Sequence, residues 1–262
     1  MDGSSHGSPT EENEPQLSLV IPAFNEEHRL AETLAAVTSF VAARGSAMEV
    51  ILVDDGSTDR TADVAGRFAA GQPWLQVLTI PHRGKAAALR AGMQAARGDL
   101  IAFSDADLAT PLRFLDDLRR AINGGCDVAI GSREGAGARR VGEPHYRHVM
   151  GRAFNWLVRM LVLPGIQDTQ CGFKLFRGEV VTQVLKRSRL YADPSETISG
   201  PRVTAFDVEM LVVARRLGYR ICAVPVVWTY GERSKVHPAR DTWHNLTDVL
   251  RVRINDWRGY YR

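Results

Sequence analysis

Gly98 to Pro111 reads GDLIAFSDADLATP: four apolar residues, Leu100 to Phe103, break into polar residues and two carboxylates one position apart, Asp105 and Asp107. An unbroken apolar run of this length is what a central parallel strand needs when helices cover both of its faces. The carboxyl end of such a strand is where open α/β sheets receive ligands. Two carboxylates at that edge can share one hard cation, Mg²⁺ or Mn²⁺, and leave coordination sites for a substrate's phosphates. The same pair also serves as ordinary turn or cap residues, so the surrounding chain has to decide between the two readings.

Upstream, the pattern repeats. Leu17 to Ile21 reads as a strand followed by PAFNEEHR and a helix whose Leu30, Leu34, Val37 and Val41 keep helical spacing. Val50 to Val53 is a second strand, ending in Asp54 and Asp55, with Gly56 to Asp59 as turn and caps for a helix through Phe68 and Ala69. A third strand, Trp74 to Ile80, leads through PHRGK into an Ala-rich helix from Lys85 to Arg97. Strands alternating with helices through short connections predict an α/β single domain, Rossmann-like, with a mostly parallel central sheet and helices on both faces. The first four strand ends then open on one cleft. Neither G-x-G-x-x-G after the first strand nor G-x-x-x-x-G-K-[ST] is present, which disfavours dinucleotide and P-loop chemistry.

Composition narrows the classes further. At 262 residues, with 45% hydrophobic and 24% charged side chains, the chain can bury a sizeable soluble core, and a net charge of +3 does not by itself imply nucleic acid. Cys126, Cys171 and Cys222 are odd in number and far apart, so no disulfide framework or zinc site is expected and a reducing cytosol fits. No apolar run reaches the roughly 18 residues of a membrane span, so any membrane contact is expected to be peripheral, at the cytoplasmic face. Residues 1–15 are Ser, Gly, Pro and acid-rich and are predicted to be a disordered tail; 16–239 form the main domain.

Downstream, a helix carrying Phe114, Leu115, Leu118 and Ile122 leads to a strand, Asp127 to Ile130, that ends in Gly131-Ser132-Arg133. From Arg133 to Arg152 five arginines and two histidines face only two glutamates, which reads as a cationic loop. Alone it is as well read as a solvated loop; beside an acidic cleft it reads as an anion site. A nucleic-acid partner is disfavoured, because Tyr146 is the segment's only stacking aromatic. An apolar helix is expected from Phe154 to Leu163, and a further helix from Phe206 to Leu217 whose Asp207 and Glu209 are either first-turn acids or groups reaching the cleft. A strand is expected from Ile221 to Val227. Over 240–262, Trp243, Leu246, Leu250, Ile254 and Trp257 form one stripe of an amphipathic helix that docks on the body or on a membrane surface; docking on the body is favoured.

Taken in order, Pro22-Ala23-Phe24-Asn25-Glu26, Val53 to Asp59, Gly84-Lys85 and Asp105-Ala106-Asp107 resemble inverting family 2 glycosyltransferases of GT-A fold. Farther on, DADLATP, GSR, DTQCGFKLFR, FDVE with RRLGYR, and VPVVW before SKV resemble the dolichyl-phosphate β-glucosyltransferase branch and its bacterial relatives. The eukaryotic members of that branch carry a membrane-spanning segment; none is expected among these residues, and membrane attachment is the one point on which the resemblance departs. The resemblance implies transfer of glucose from a nucleoside diphosphate sugar, UDP-glucose, to a polyprenyl phosphate. It implies that Pro22, Ala23, Asn25, Glu26, Asp54, Lys85, Asp105 and Ala106 hold the donor and that Asp105 and Asp107 hold Mg²⁺ or Mn²⁺. Capping remains an alternative for Asn25 and Glu26, and simple exposure for Lys85. An acceptor dianion needs cations more than a base, and Arg133, Arg139, Arg140, Lys174 and Lys235 are the candidates. Asp168 stands where related enzymes place a catalytic carboxylate, and is read as base or acceptor-orienting group, with capping or Arg pairing as the alternative; Asp107 and Arg133 complete the expected catalytic set. A soluble acceptor and a non-catalytic sugar-nucleotide module are the other classes considered.

Overall fold

The computed structural model describes residues 15–44, 47–192, 204–231 and 238–262, so nearly all of the expected N-terminal tail, and Lys235, lie outside the described residues. Its first half follows the expected alternation: β1 (Leu17–Ala23), α1 (Leu30–Ala42), β2 (Met48–Asp54), α2 (Thr61–Ala69), β3 (Leu75–Thr79), α3 (Lys85–Ala95) and β4 (Leu100–Ser104). Then come α4 (Phe114–Asn123), β5 (Val128–Ser132), β6 (Arg139–Val141), α5 (His145–Leu161), β7 (Phe173–Arg177), α6 (Gly178–Arg187), α7 (Phe206–Arg216), β8 (Ile221–Pro225), β9 (Val227–Thr229) and α8 (Pro238–Trp257). Seven strands form one sheet in the order β3-β2-β1-β4-β7-β5-β8. Every residue of β1 and β2 is buried, as strands covered on both faces require. Two apolar clusters pack on the sheet's two faces, one around Val20, Phe103 and Phe176, the other around Leu19, Leu52 and Leu175. Alternating residues of the same strands feed them.

Three features differ from expectation. Phe173–Arg177, read within a motif and not as a strand, is β7, which inserts antiparallel between β4 and β5. Its register sets Phe173 opposite Ser104, which brings the Cys171-Gly172 corner beside the acidic pair. The arginine-rich stretch is less of a loop than expected: Arg139–Val141 pairs in parallel with Val227–Thr229, and α5 begins at His145. The expected strand 221–227 is accordingly two, β8 in the main sheet and β9 in the small one.

The cysteine expectation is corrected. Cys126, at the entry to β5, and Cys222, on the adjacent β8, form a disulfide across 96 positions of sequence. Strand adjacency cannot be read from sequence separation, and the reducing compartment inferred from unpaired cysteines loses that support. The C-terminal helix also departs from the favoured reading. It docks through Asn245, Asp248, Val249, Val252 and Asp256, all buried, whereas Trp243, Leu250, Ile254 and Trp257 are exposed. Two of its inward carboxylates find partners on other elements: Asp248 accepts from the Tyr191 hydroxyl at 2.6 Å, and Asp256 pairs with Arg216 at 2.5 Å, whereas Asn245 Oδ1 and the second oxygen of Asp248 have no hydrogen-bond partner among the described residues. Among the described residues no helix is long and apolar enough to cross a membrane.

Candidate active site

A cleft of about 490 Å³ opens along the carboxyl ends of β1, β2 and β4 and reaches to α5, β9 and the start of α7. That volume lies within the range of small-ligand pockets. Pro22, Ala23, Phe24 and Glu26, at the end of β1, line it together with Asp55 from the end of β2. The β3–α3 loop is pinned to this wall by Asp55, which accepts from His82 Nδ1 at 2.9 Å, Arg83 N at 2.8 Å and Gly84 N at 2.8 Å. Burial pushes the Asp55 carboxyl above the usual carboxylate range. The same loop sets His82 flat against Phe24, ring centroids 3.9 Å apart and 9° from parallel. Gly56 makes the close approach possible: its φ is +66°, and a Cβ there would lie 2.7 Å from His82 N.

Beyond β4 the chain bends, and Asp105 and Asp107 enter the cleft with about 39% and 34% of their side chains exposed. They are open to a ligand. Lys85, the first residue of α3, contacts Asp105 Oδ1, and Arg29 Nη1 lies 4.0 Å from Asp107 Oδ2. Burial alone would lower the Lys85 ammonium, but Asp105, Asp207 and Asp107 outweigh it and hold Lys85 above its ordinary value. Burial, then the neighbouring Asp105 carboxylate, pushes Asp107 upward. Both follow from burial combined with carboxylates gathered at this end of the cleft. Among the described residues no group of three or more His, Cys, Asp and Glu side chains could hold a metal. The two exposed carboxylates nonetheless suit a hard divalent ion whose remaining ligands are phosphate oxygens and water. Gly172 guards this pair: a Cβ built on it would lie 2.6 Å from Asp105 Cγ.

On the other side of the cleft, Arg133 is locked rather than mobile. Its Nε and Nη2 donate to the two oxygens of Asp168 at 2.7 and 2.8 Å, and its backbone N–H donates to Oδ2 at 2.9 Å. Burial alone would raise Asp168, but Arg133 outweighs it and holds the carboxyl well below the usual range. Asp168 is fully buried and both of its oxygens are taken. That geometry orients a guanidinium; it does not present a base. Arg140 is tied in the same way, to Glu143 at 2.9 Å and Glu134 at 3.0 Å, and His148 closes the network on Glu143 at 3.2 Å. Much of the cationic surplus counted in sequence is therefore neutralised within the network.

Of the expected donor residues, Pro22, Ala23, Glu26, Lys85, Asp105 and Ala106 line the cleft, whereas Asn25 and Asp54 do not. Asn25, with φ +53°, accepts from Thr58 N at 2.8 Å, and Asp54 is buried with Ser57 N 3.3 Å away, so both shape loops. Asp55 takes the cleft position. Arg133 and Arg140 line the cleft; Arg139 is exposed on β6 outside it. Lys174 is fully buried, donates to Cys171 O at 2.6 Å and pairs with Asp207 at 3.2 Å, which leaves it no path to an acceptor. Sequence reasoning missed Arg147, Gly172 and the Phe24–His82 stack, and left Asp207 open between two readings; Arg147, Asp207 and Gly172 all line the cleft. Arg147 was one of the counted arginines, and Phe24 and Gly172 lie within motifs that carry the family resemblance but were given no role of their own.

Comparison with known proteins gives this arrangement its family. Residues 18–185 match the model for glycosyl transferase family 2. Human dolichyl-phosphate beta-glucosyltransferase is 34% identical over 264 residues, covering 94% of this chain and 78% of that protein. Glycosyltransferase AglD of Haloferax volcanii is 35% identical over 243 residues, covering 90% of this chain and 37% of that protein. Among solved structures, Mycobacterium tuberculosis glucosyl-3-phosphoglycerate synthase in complex with Mn²⁺ and uridine-diphosphate-glucose superposes with a TM-score of 0.62 at 20% identity, over 91% of this chain and 79% of that one. That likeness concerns the fold. With the family match spanning more than half of its residues and a human relative aligned along nearly all of them, the chain belongs to glycosyl transferase family 2 and is a glycosyltransferase of GT-A fold.

Proposed function

We propose that the cleft transfers glucose from UDP-glucose, with inversion, to a polyprenyl phosphate. The observation that carries this reading is the cleft's double character: Asp105 and Asp107 line the same cavity as Arg133, Arg140 and Arg147. A nucleoside diphosphate suits the acidic pair through a shared cation, and a phosphate monoester suits Arg133 and Arg147, Arg140 being tied to Glu134 and Glu143. Relatives named dolichyl-phosphate beta-glucosyltransferase, in human and mouse, support both the sugar and the acceptor. The fold neighbour solved with uridine-diphosphate-glucose supports the donor.

In this reading Phe24, flattened on His82, offers the base an aromatic wall, and Glu26 accepts from the donor's ribose or base. Asp105 and Asp107 would hold Mg²⁺ or Mn²⁺, which when bound offsets the charge that develops on the leaving diphosphate. Lys85, already beside Asp105, turns toward the same phosphates. Arg133, oriented by Asp168, and Arg147 hold the acceptor phosphate in line with the anomeric carbon. A phosphate oxygen forms the new bond to that carbon, the bond to the diphosphate breaks, and the nucleotide leaves with the electron pair. A mostly dianionic nucleophile needs no proton removed at neutral pH, which agrees with a buried, occupied Asp168. Lys174 acts through Asp207 and not on the acceptor.

One observation favours a second reading, a small soluble phosphate acceptor: a fold neighbour was solved with phosphoglyceric acid. Incubation with a panel of radiolabelled nucleotide sugars and Mn²⁺, with polyprenyl phosphate or soluble phosphates, followed by organic extraction, separates the two. Label from UDP-glucose in the organic phase is expected; label confined to the aqueous phase supports the second reading.

A further inference from the structure

Among the described residues, the exposed large hydrophobic side chains fall in only two stretches, Val141 to Met160 and Trp243 to Tyr260. On α5, Tyr146, Val149, Met150, Trp156 and Met160 follow helical spacing along one outward stripe, while Asn155 and Val158 are buried on the opposite side. On α8, Trp243, Leu250, Ile254 and Trp257 do the same, Trp257 being 81% exposed. Apolar surface of this extent is not left to water without a use. The two helices are in contact, and both border the cleft, through Met150 of α5 and Asn245 of α8.

The charges beside the stripes have one sign. Arg152 and Arg159 are exposed on α5, as are Arg251, Arg253, Arg258 and Arg262 on or after α8. α5 contains no carboxylate, and from Trp243 onward the carboxylates of α8, Asp248 and Asp256, are buried, each 3.6 Å from Arg251 or Arg253, so the exposed charges on both helices are arginines. Tryptophan, tyrosine, methionine and aliphatic side chains flanked by arginine suit the headgroup boundary of an anionic bilayer, where amphipathic rings and guanidinium groups both find partners. A second copy of the same surface would set arginine against arginine, which disfavours self-association.

We propose that α5 and α8 together form a docking face for the surface of an anionic bilayer. Met150 belongs both to the exposed stripe and to the cleft lining, so docking sets the acceptor half of the cleft against the headgroups. The second step rests on the polyprenyl phosphate reading; the docking itself does not.

The test is co-sedimentation of the full chain with phosphatidylcholine vesicles, with and without phosphatidylglycerol, for wild type and for Trp156→Glu/Met160→Glu and Trp243→Glu/Trp257→Glu. Anionic vesicles should bind wild type at least about tenfold more strongly, and each double variant should lose about tenfold in partitioning. These side chains face solvent, so circular dichroism and melting should be unchanged. Equal partitioning of wild type and both variants overturns the proposal, as does a wild-type dimer in sedimentation velocity that the same variants dissociate. A short-chain, water-soluble polyprenyl phosphate separates the two readings. Retained transfer to it by variants that no longer bind vesicles supports both, whereas loss of vesicle binding with no transfer by any form, wild type included, supports docking and rejects the acceptor.

Discussion

Gly172→Ala adds one methyl group at the place where the fold is least able to receive it. The added Cβ would lie 2.6 Å from Asp105 Cγ, about 1 Å short of ordinary carbon contact. The backbone cannot retreat, because Phe173, the next residue, is paired with Ser104 in the central ladder. The Asp105 carboxylate must therefore swing away from its position beside Lys85 and Asp107. Its ion pair with Lys85 is about 40% exposed on each side, so losing it costs at most about 1 kcal/mol of stability. Function should suffer more, since a displacement of about 1 Å at a metal- and phosphate-holding group costs roughly a hundredfold in rate. Calorimetric titration of Mn²⁺ in the presence of UDP, together with kcat/KM and a urea unfolding curve, separates the two effects. Gly66→Ala, where a Cβ meets nothing within 4 Å, is the control. Wild-type Mn²⁺ affinity and turnover in Gly172→Ala would refute the reasoning.

Three further outcomes are expected. Lys85 occupies Asp105 when no ligand is present, so Lys85→Met should tighten Mn²⁺ binding to the nucleotide-free protein by about tenfold and weaken UDP binding by a similar factor; weaker Mn²⁺ binding in calorimetry would contradict this. Asp168 is held below its unfolded value, so it contributes stability that is present above about pH 4 and lost as pH falls through its folded value. Arg133→Ala and Asp168→Asn should therefore cost about 3–5 kcal/mol between about pH 5 and 8, with the Asp168→Asn deficit shrinking at lower pH in urea titrations; a deficit that grows on acidification has the wrong sign. Reduction, or Cys126→Ser, should lower the unfolding free energy by about 2–4 kcal/mol because the bridge closes a long loop. No change, with the bridge shown by mass spectrometry in the wild type, would contradict that.

β1, β2 and β4 were legible because each is a short, mostly apolar run ending in polar residues, and β3, LQVLT, because it falls in the same alternation of strand and helix. Asp105 and Asp107 were legible for the same reason: they stand where an apolar run stops. What was hidden depends on pairing across sequence distance. β7 and the Cys126–Cys222 bridge arise from which strands lie side by side, and no local pattern states that. The arginine stretch misled because charge was counted along the chain, while Asp168 neutralises Arg133 from 35 positions away. On α8 the apolar stripe was taken for the docking face; the true one includes Asp248 and Asp256, whose partners lie on other elements. Gly172 lies in the DTQCGFKLFR motif, but its role was hidden, since only the approach of β7 to β4 makes its missing side chain matter.

The measurement that bears most directly on the central claim is the structure of the lipid product. Wild-type protein supplied with UDP-glucose, Mn²⁺ and polyprenyl phosphate should yield an organic-extractable glucosyl phosphate whose anomeric proton, by NMR, is β. That product should disappear in excess chelator and in Asp107→Asn, which is expected to fold and to lose at least about a hundredfold in kcat/KM. An α-linked product, full turnover with chelator present, or no polyprenyl-linked sugar from any donor would contradict the account.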